Sequence, residues 1–70
     1  MEKPKPKVIR VLLEEGEHTA NAVLYDWGSA ITINAIDWGD GPPLRDDDNS
    51  FKTVEAAVQH AHKLWLKVLL

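Results

Sequence analysis

Seventy residues, 7.9 kDa and a net charge of −3 at pH 7 bound what this chain can be. A chain this short forms one domain, and without cysteine it has neither a disulfide framework nor a thiolate metal site to support a small core. Ordering it costs on the order of 100 kcal/mol, which burial only just offsets, so unusually good packing or self-association is expected, with a homodimer the simpler of the two.

A hydrophobic fraction of 44% excludes disorder over most of the length. No apolar run approaches the roughly 20 residues of a membrane span. The opening MEKPKPK leads into a strand-like segment containing Arg10, not into the apolar centre of a signal peptide, which makes the cytoplasm the expected compartment. Charge is unevenly placed: Lys3, Lys5, Lys7 and Arg10 stand against Glu2 at one end, and five aspartates stand against Arg45 over residues 37–48. Alternating proline blocks helix and ladder pairing alike, so residues 1–7 read as a flexible basic tail and 8–70 as a single domain.

The first element is a strand over 8–14 (VIRVLLE), rich in β-branched residues. EGEHT then makes a five-residue polar connection to a second strand over 20–27 (ANAVLYDW). Gly28-Ser29 reads as a two-residue hairpin turn, with glycine supplying the positive φ of a type II′ turn, and a third strand follows over 30–38 (AITINAIDW). That turn fixes a register in which Trp27 faces Ala30, Tyr25 faces Thr32, Val23 faces Asn34 and Asn21 faces Ile36. Ala22, Leu24, Ile31, Ile33 and Ala35 then form one wholly apolar face, the expected seat of a helix. Tyr25, Trp27, Thr32, Asn34 and Trp38 share the opposite face. A one-residue slip would invert these assignments.

The spacing of apolar residues predicts a helix over 54–69. Thr53 is its N-cap, Glu55 lies in its first turn and Lys67 near its end, as the helix dipole favours. At about 100° per residue, Val54, Ala57, Val58, Ala61, Leu64, Trp65, Val68 and Leu69 fill one arc, while Leu66 and Leu70 fall outside it as frayed residues or as an oligomer contact. Between the third strand and the helix, GDGPPLRDDDNSFKT reads as a long acidic loop with room for a short strand around Leu44. Phe51 is expected to anchor it ahead of the cap.

Few residues offer chemistry. His60 and His62 diverge by roughly 200° on a helix and do not share an ion; both are expected on its solvated surface. Counted from Asp46, the calcium-loop positions that need glycine and glutamate hold Phe51 and Ala57. There is no phosphate-cradling glycine loop, and Ser29 and Ser50 have no identifiable histidine partner. No catalytic residue, metal site or cofactor is assigned.

Aromatic placement is the informative feature. Tyr25, Trp27 and Trp38 interleaved with Thr32 and Asn34 are typical of a protein-binding surface or a dimer interface. The tripeptide DWG, at 26–28 and again at 37–39, therefore reads as two turns at opposite ends of one hairpin, its tryptophans about 25 Å apart and not one ligand site.

The stretch TVEAAVQHA, residues 53–61, resembles the T-x-E-E-A-x-x-x-A helix entry of HicB-like antitoxin domains, with Ala56 where the second glutamate is usual. Those domains also run three antiparallel strands into a helix. The resemblance implies a partial RNase H-like fold and a toxin-neutralising role. The sequence as a whole is read as an α+β domain: a three-stranded antiparallel sheet and one C-terminal helix packed on one of its faces. Its expected function is non-catalytic protein binding or inhibition, by a homodimer presenting the aromatic face and the acidic loop of Asp40, Asp46, Asp47 and Asp48. The rival reading is nucleic-acid binding through the basic tail and the exposed aromatics, which a mixed-charge chain with no basic stripe disfavours.

Overall fold

A computed structural model describes residues 5–70, apart from the side chain of Asp47. The expected tail lies partly outside the described residues, and Lys7 already belongs to the first strand. The chain is α+β, in the order β1 (Lys7–Glu15), β2 (His18–Asp26), β3 (Ile31–Asp37), β4 (Leu44–Phe51) and α1 (Val54–Leu69). The sheet is antiparallel with strand order β1-β2-β3-β4, so it has four strands where the sequence reading has three.

The first two hairpins close on a glycine followed by a polar residue. Gly16 (φ +62°) and Gly28 (φ +90°) take the positive φ that the first position of a two-residue II′ turn demands, and no described non-glycine residue has positive φ. The Gly28-Ser29 turn is thus as expected, sealed by the Trp27 N–H donating to the Ala30 carbonyl at 2.9 Å. The first connection is tighter than the five-residue EGEHT. Glu15 pairs with His18, and His18 and Thr19 are already in the ladder.

The register leaves the hairpin as expected and then shifts. Asp26, Tyr25 and Leu24 pair with Ile31, Thr32 and Ile33, but Val23 pairs with Ala35 and Ala22 with Ile36. Asn34 is the extra residue of a β-bulge. A bulge changes the parity of everything beyond it. Ile36, expected on the open face, is therefore fully buried in the core, and Trp38 packs against the core as well; Ala35, expected under the helix, is only half-buried.

The acidic stretch supplies β4. Leu44, Asp46 and Phe51 pair with Ile36, Ile33 and Ile31, and the register shifts on both sides of Ile33. Asp47–Ser50 form a wide excursion in the strand, because four residues of β4 lie between pairs that span only Thr32 on β3. Aspartates are poor strand formers, and the pairing depends on the apolar residues at its ends.

The helix has the expected span. The Thr53 hydroxyl accepts from the Ala56 N–H at 3.1 Å, and Leu70 caps the other end. Ala57, Ala61 and Trp65 are its buried stripe, set over Ala20, Ala22, Leu24, Ile31, Ile33 and Ile36. Small residues around one large indole give the close approach that a single helix on a sheet requires. Val68 is exposed despite falling within the apolar arc. Leu66 is half-buried and Leu70 is 99% exposed.

Candidate functional site

The helix packs on β2, β3 and β4 and covers one face of the sheet, and no other described element lies on the opposite face. Strand alternation decides what lies there. Ile9, Val11 and Leu13 point toward the helix side with Ala20, Ala22 and Leu24, so Val8, Arg10, Leu12 and Glu14 line the open face beside their partners Tyr25, Val23, Asn21 and Thr19. Three exposed apolar residues share this surface, Val8 at 50%, Leu12 at 55% and Trp27, just past β2, at 42%; Val68 and Leu70 are exposed at the end of α1. Val23 and Tyr25 are half-buried between them.

Trp27 is held in place. Its indole Nε1–H donates to the Thr32 hydroxyl at 3.0 Å, and its ring meets Tyr25 edge to face, with centroids 5.9 Å apart and planes at 86°. Its backbone is fixed by the hairpin and by the Asp26 carboxylate, which accepts from the Gly28 N–H at 2.9 Å. The second DWG repeats this local bond, since the Asp37 carboxylate accepts from the Gly39 N–H at 3.2 Å and Gly39 has φ +87°. Each DWG is therefore an Asx turn ending in a positive-φ glycine. The two tryptophans nevertheless part company. Trp38 Nε1–H donates to the Pro42 carbonyl at 3.0 Å, and the ring folds over Gly41 at the edge of the core.

Of the residues expected on one aromatic face, the structure brings Tyr25, Trp27 and Thr32 together. It places Asn34 in the bulge and removes Trp38 to the helix side. The acidic residues also separate. Asp40 and Asp48 are exposed, whereas the Asp46 side chain is only 9% exposed and acts as a hub. Its carboxylate accepts from the Asn49 amide at 3.0 and 3.1 Å and from the Asp48 N–H at 3.3 Å, and lies 2.7 Å from His60 Nε2. The Asn49 hydrogen bond chiefly holds its carboxyl below the usual range; partial burial opposes, while the Asp48 N–H and His60 reinforce the lowering. Asp46 therefore folds the excursion in β4 and fastens it to the helix, where the sequence reading had it facing a partner.

The histidines diverge as expected and keep about a third of their surface exposed, but each also has a partner on the sheet. His60 packs on Phe51, with centroids 5.1 Å apart, and pairs with Asp46; His62 lies against Trp65 and pairs with Glu15 at 3.1 Å. They flank the buried stripe of α1 and tie it to β4 on one side and to the end of β1 on the other. Nothing in the sequence marks these partners, because each contact depends on where the helix crosses the sheet.

The described residues enclose no pocket, and no three His, Cys, Asp or Glu side chains among them converge as a metal site would require. No helix among them is long and apolar enough to cross a membrane. The sequence reading missed Val8, Arg10 and Leu12, although their i, i+2 spacing in VIRVLLE was the available signal. No protein-family model, curated protein or solved structure matches the chain.

Proposed function

We propose that this chain is a small non-catalytic protein-binding or inhibitory module that docks a partner on the open face of its sheet, with Trp27 as the anchor. The observation that carries this reading is the way Trp27 is held: 42% exposed, yet fixed by Thr32, Tyr25 and the turn at once. Ordering a side chain at an interface costs about 0.5–1.5 kcal/mol, and Trp27 has met most of that cost before a partner arrives. Rigid aromatics of this kind dominate binding energies. Leu12, Val8 and Val23 continue the apolar surface, and Arg10 and Glu14 add charges of both signs. A mixed-charge face suits a protein better than a nucleic acid, whose affinity rests on a basic surface.

The test is affinity capture from the native host with the wild type and with Trp27→Ser, Leu12→Ser and Trp38→Phe. A partner retained by Trp38→Phe and lost with the two open-face variants supports the proposal. A partner held equally by all four proteins contradicts it, and salt-dependent binding of a labelled single strand lost with Trp27→Ser would replace it with base stacking.

A further inference from the structure

The two edges of the sheet differ. β4 is interrupted by register shifts and by its acidic excursion, features that discourage another strand from pairing. β1 has none of these protections. It is nine residues long, contains no proline and pairs with β2 in unbroken register, and α1 packs over β2, β3 and β4, reaching β1 at Glu15 through His62. Among the described residues no backbone group pairs with that edge.

Which β1 residues face outward follows from the turn. A two-residue loop closes on a hydrogen-bonded pair, here Glu15 with His18, and such pairs alternate along an antiparallel ladder. Leu13, Val11, Ile9 and Lys7 therefore spend their N–H and C=O groups on β2. Val8, Arg10, Leu12 and Glu14 offer theirs to solvent.

We propose that β1 pairs antiparallel with β1 of a second copy of this chain, about a two-fold axis at Leu12, joining two sheets into one of eight strands. Charge selects both the occupant and the register. Pairing centred on Leu12 sets Arg10 opposite Glu14 of the second copy, and Glu14 opposite its Arg10, with Leu12 on Leu12 between them. On the helix side it sets Val11 against Leu13 of the second copy, extending the apolar layer. Every other symmetric register that uses the outward groups is worse. Centring on Arg10 or on Glu14 opposes like charges, and centring on Leu13 sets Glu14 on Leu12 and Glu15 on Val11. Centring on Val11 joins Lys7 to Glu15, which His62 already holds, but sets Arg10 on Leu12 and Glu14 on Val8.

Within one chain Arg10 and Glu14 stand about 13 Å apart along the strand, too far to meet. Neither has a salt-bridge partner among the described residues. Leu12, 55% exposed in the single chain, becomes the centre of the contact. The pairing also sets two Trp27 faces side by side on one continuous surface, but it does not depend on what docks there.

The test is sedimentation of the full chain over a concentration series. Wild type is expected to dimerise. Arg10→Glu and Glu14→Arg, each opposing like charges at two symmetric positions, are each expected to weaken the dimer by about tenfold or more. Mixed together, the two variants are expected to form a heterodimer, since each strand then complements the other, and this also shows that both remain folded. Leu12→Pro removes an N–H that β2 does not use and is expected to abolish dimerisation. Trp27→Ser should leave it unchanged. A wild type that stays monomeric to millimolar concentration overturns the proposal. So does a dimer unmoved by the charge reversals, or one lost with Trp27→Ser alone, which would place the contact on the sheet face.

Discussion

Asp46→Ala removes the acceptor that folds β4 and ties it to α1. The bonds lost are those to the Asn49 amide and the Asp48 N–H, together with the 2.7 Å pair to His60. Hydrogen bonds to a charged group are worth roughly 1.5–3 kcal/mol each, but Asn49 and Asp48 are exposed and can turn to water, so their loss falls below that range. In the His60 pair the carboxylate is enclosed and the imidazole is a third exposed, so the pair keeps part of its value. A total near 2–3 kcal/mol follows, against a stability of about 3.5–10 kcal/mol for a chain of this length. The expected fall in Tm is roughly 8–20 °C. Urea unfolding followed by far-UV circular dichroism measures the loss directly. His60→Ala alone should cost less, because Asn49 and the Asp48 N–H still hold the carboxylate. A change under about 0.5 kcal/mol for Asp46→Ala, the range of an ordinary surface substitution, would refute the hub.

The same carboxylate makes a pH prediction. Its pKa in the folded chain is lowered, so its contribution is complete above the unfolded value of about 3.9 and is lost as pH falls through the folded value. The stability difference between wild type and Asp46→Asn should be constant near pH 5 and shrink on acidification below about 4; a difference that grows there would reverse the sign of the argument. Trp65→Ala empties the centre of the core and should cost about 3–5 kcal/mol, enough to unfold most of the population in a thermal melt. Gly41→Ala sets a Cβ 2.7 Å from Cζ2 of Trp38, so it should displace that ring, shift its fluorescence and leave Trp27 unaffected.

The helix was legible because two independent signals agree on it: Thr53 at the cap, and an apolar period that ends with the acid-to-base gradient. The Gly28-Ser29 turn was legible for a similar reason, since few residues tolerate that φ. The bulge was not. AITINAIDW alternates plausibly on either parity past Ile33, and only closure against β2 and β4 selects Asn34 as the extra residue. That one residue moves Ile36 into the core and Trp38 off the aromatic face, which is how a correct turn led to a partly wrong surface. β4 was hidden by composition, because DDDNS lacks strand propensity and joins the sheet through Leu44, Phe51 and the Asp46 hub. Of the candidate surface, Tyr25, Trp27 and Thr32 were legible from the hairpin. Val8 and Leu12 required knowing which side of β1 the helix leaves uncovered.

Hydroxyl-radical footprinting, comparing the free chain with its captured complex, tests the central claim most directly. Protection is expected at Val8, Tyr25 and Trp27, with Trp38, Val68 and Leu70 labelled as in the free chain. Protection confined to α1 or to the exposed aspartates of the β4 edge, with Trp27 still reactive, would contradict it.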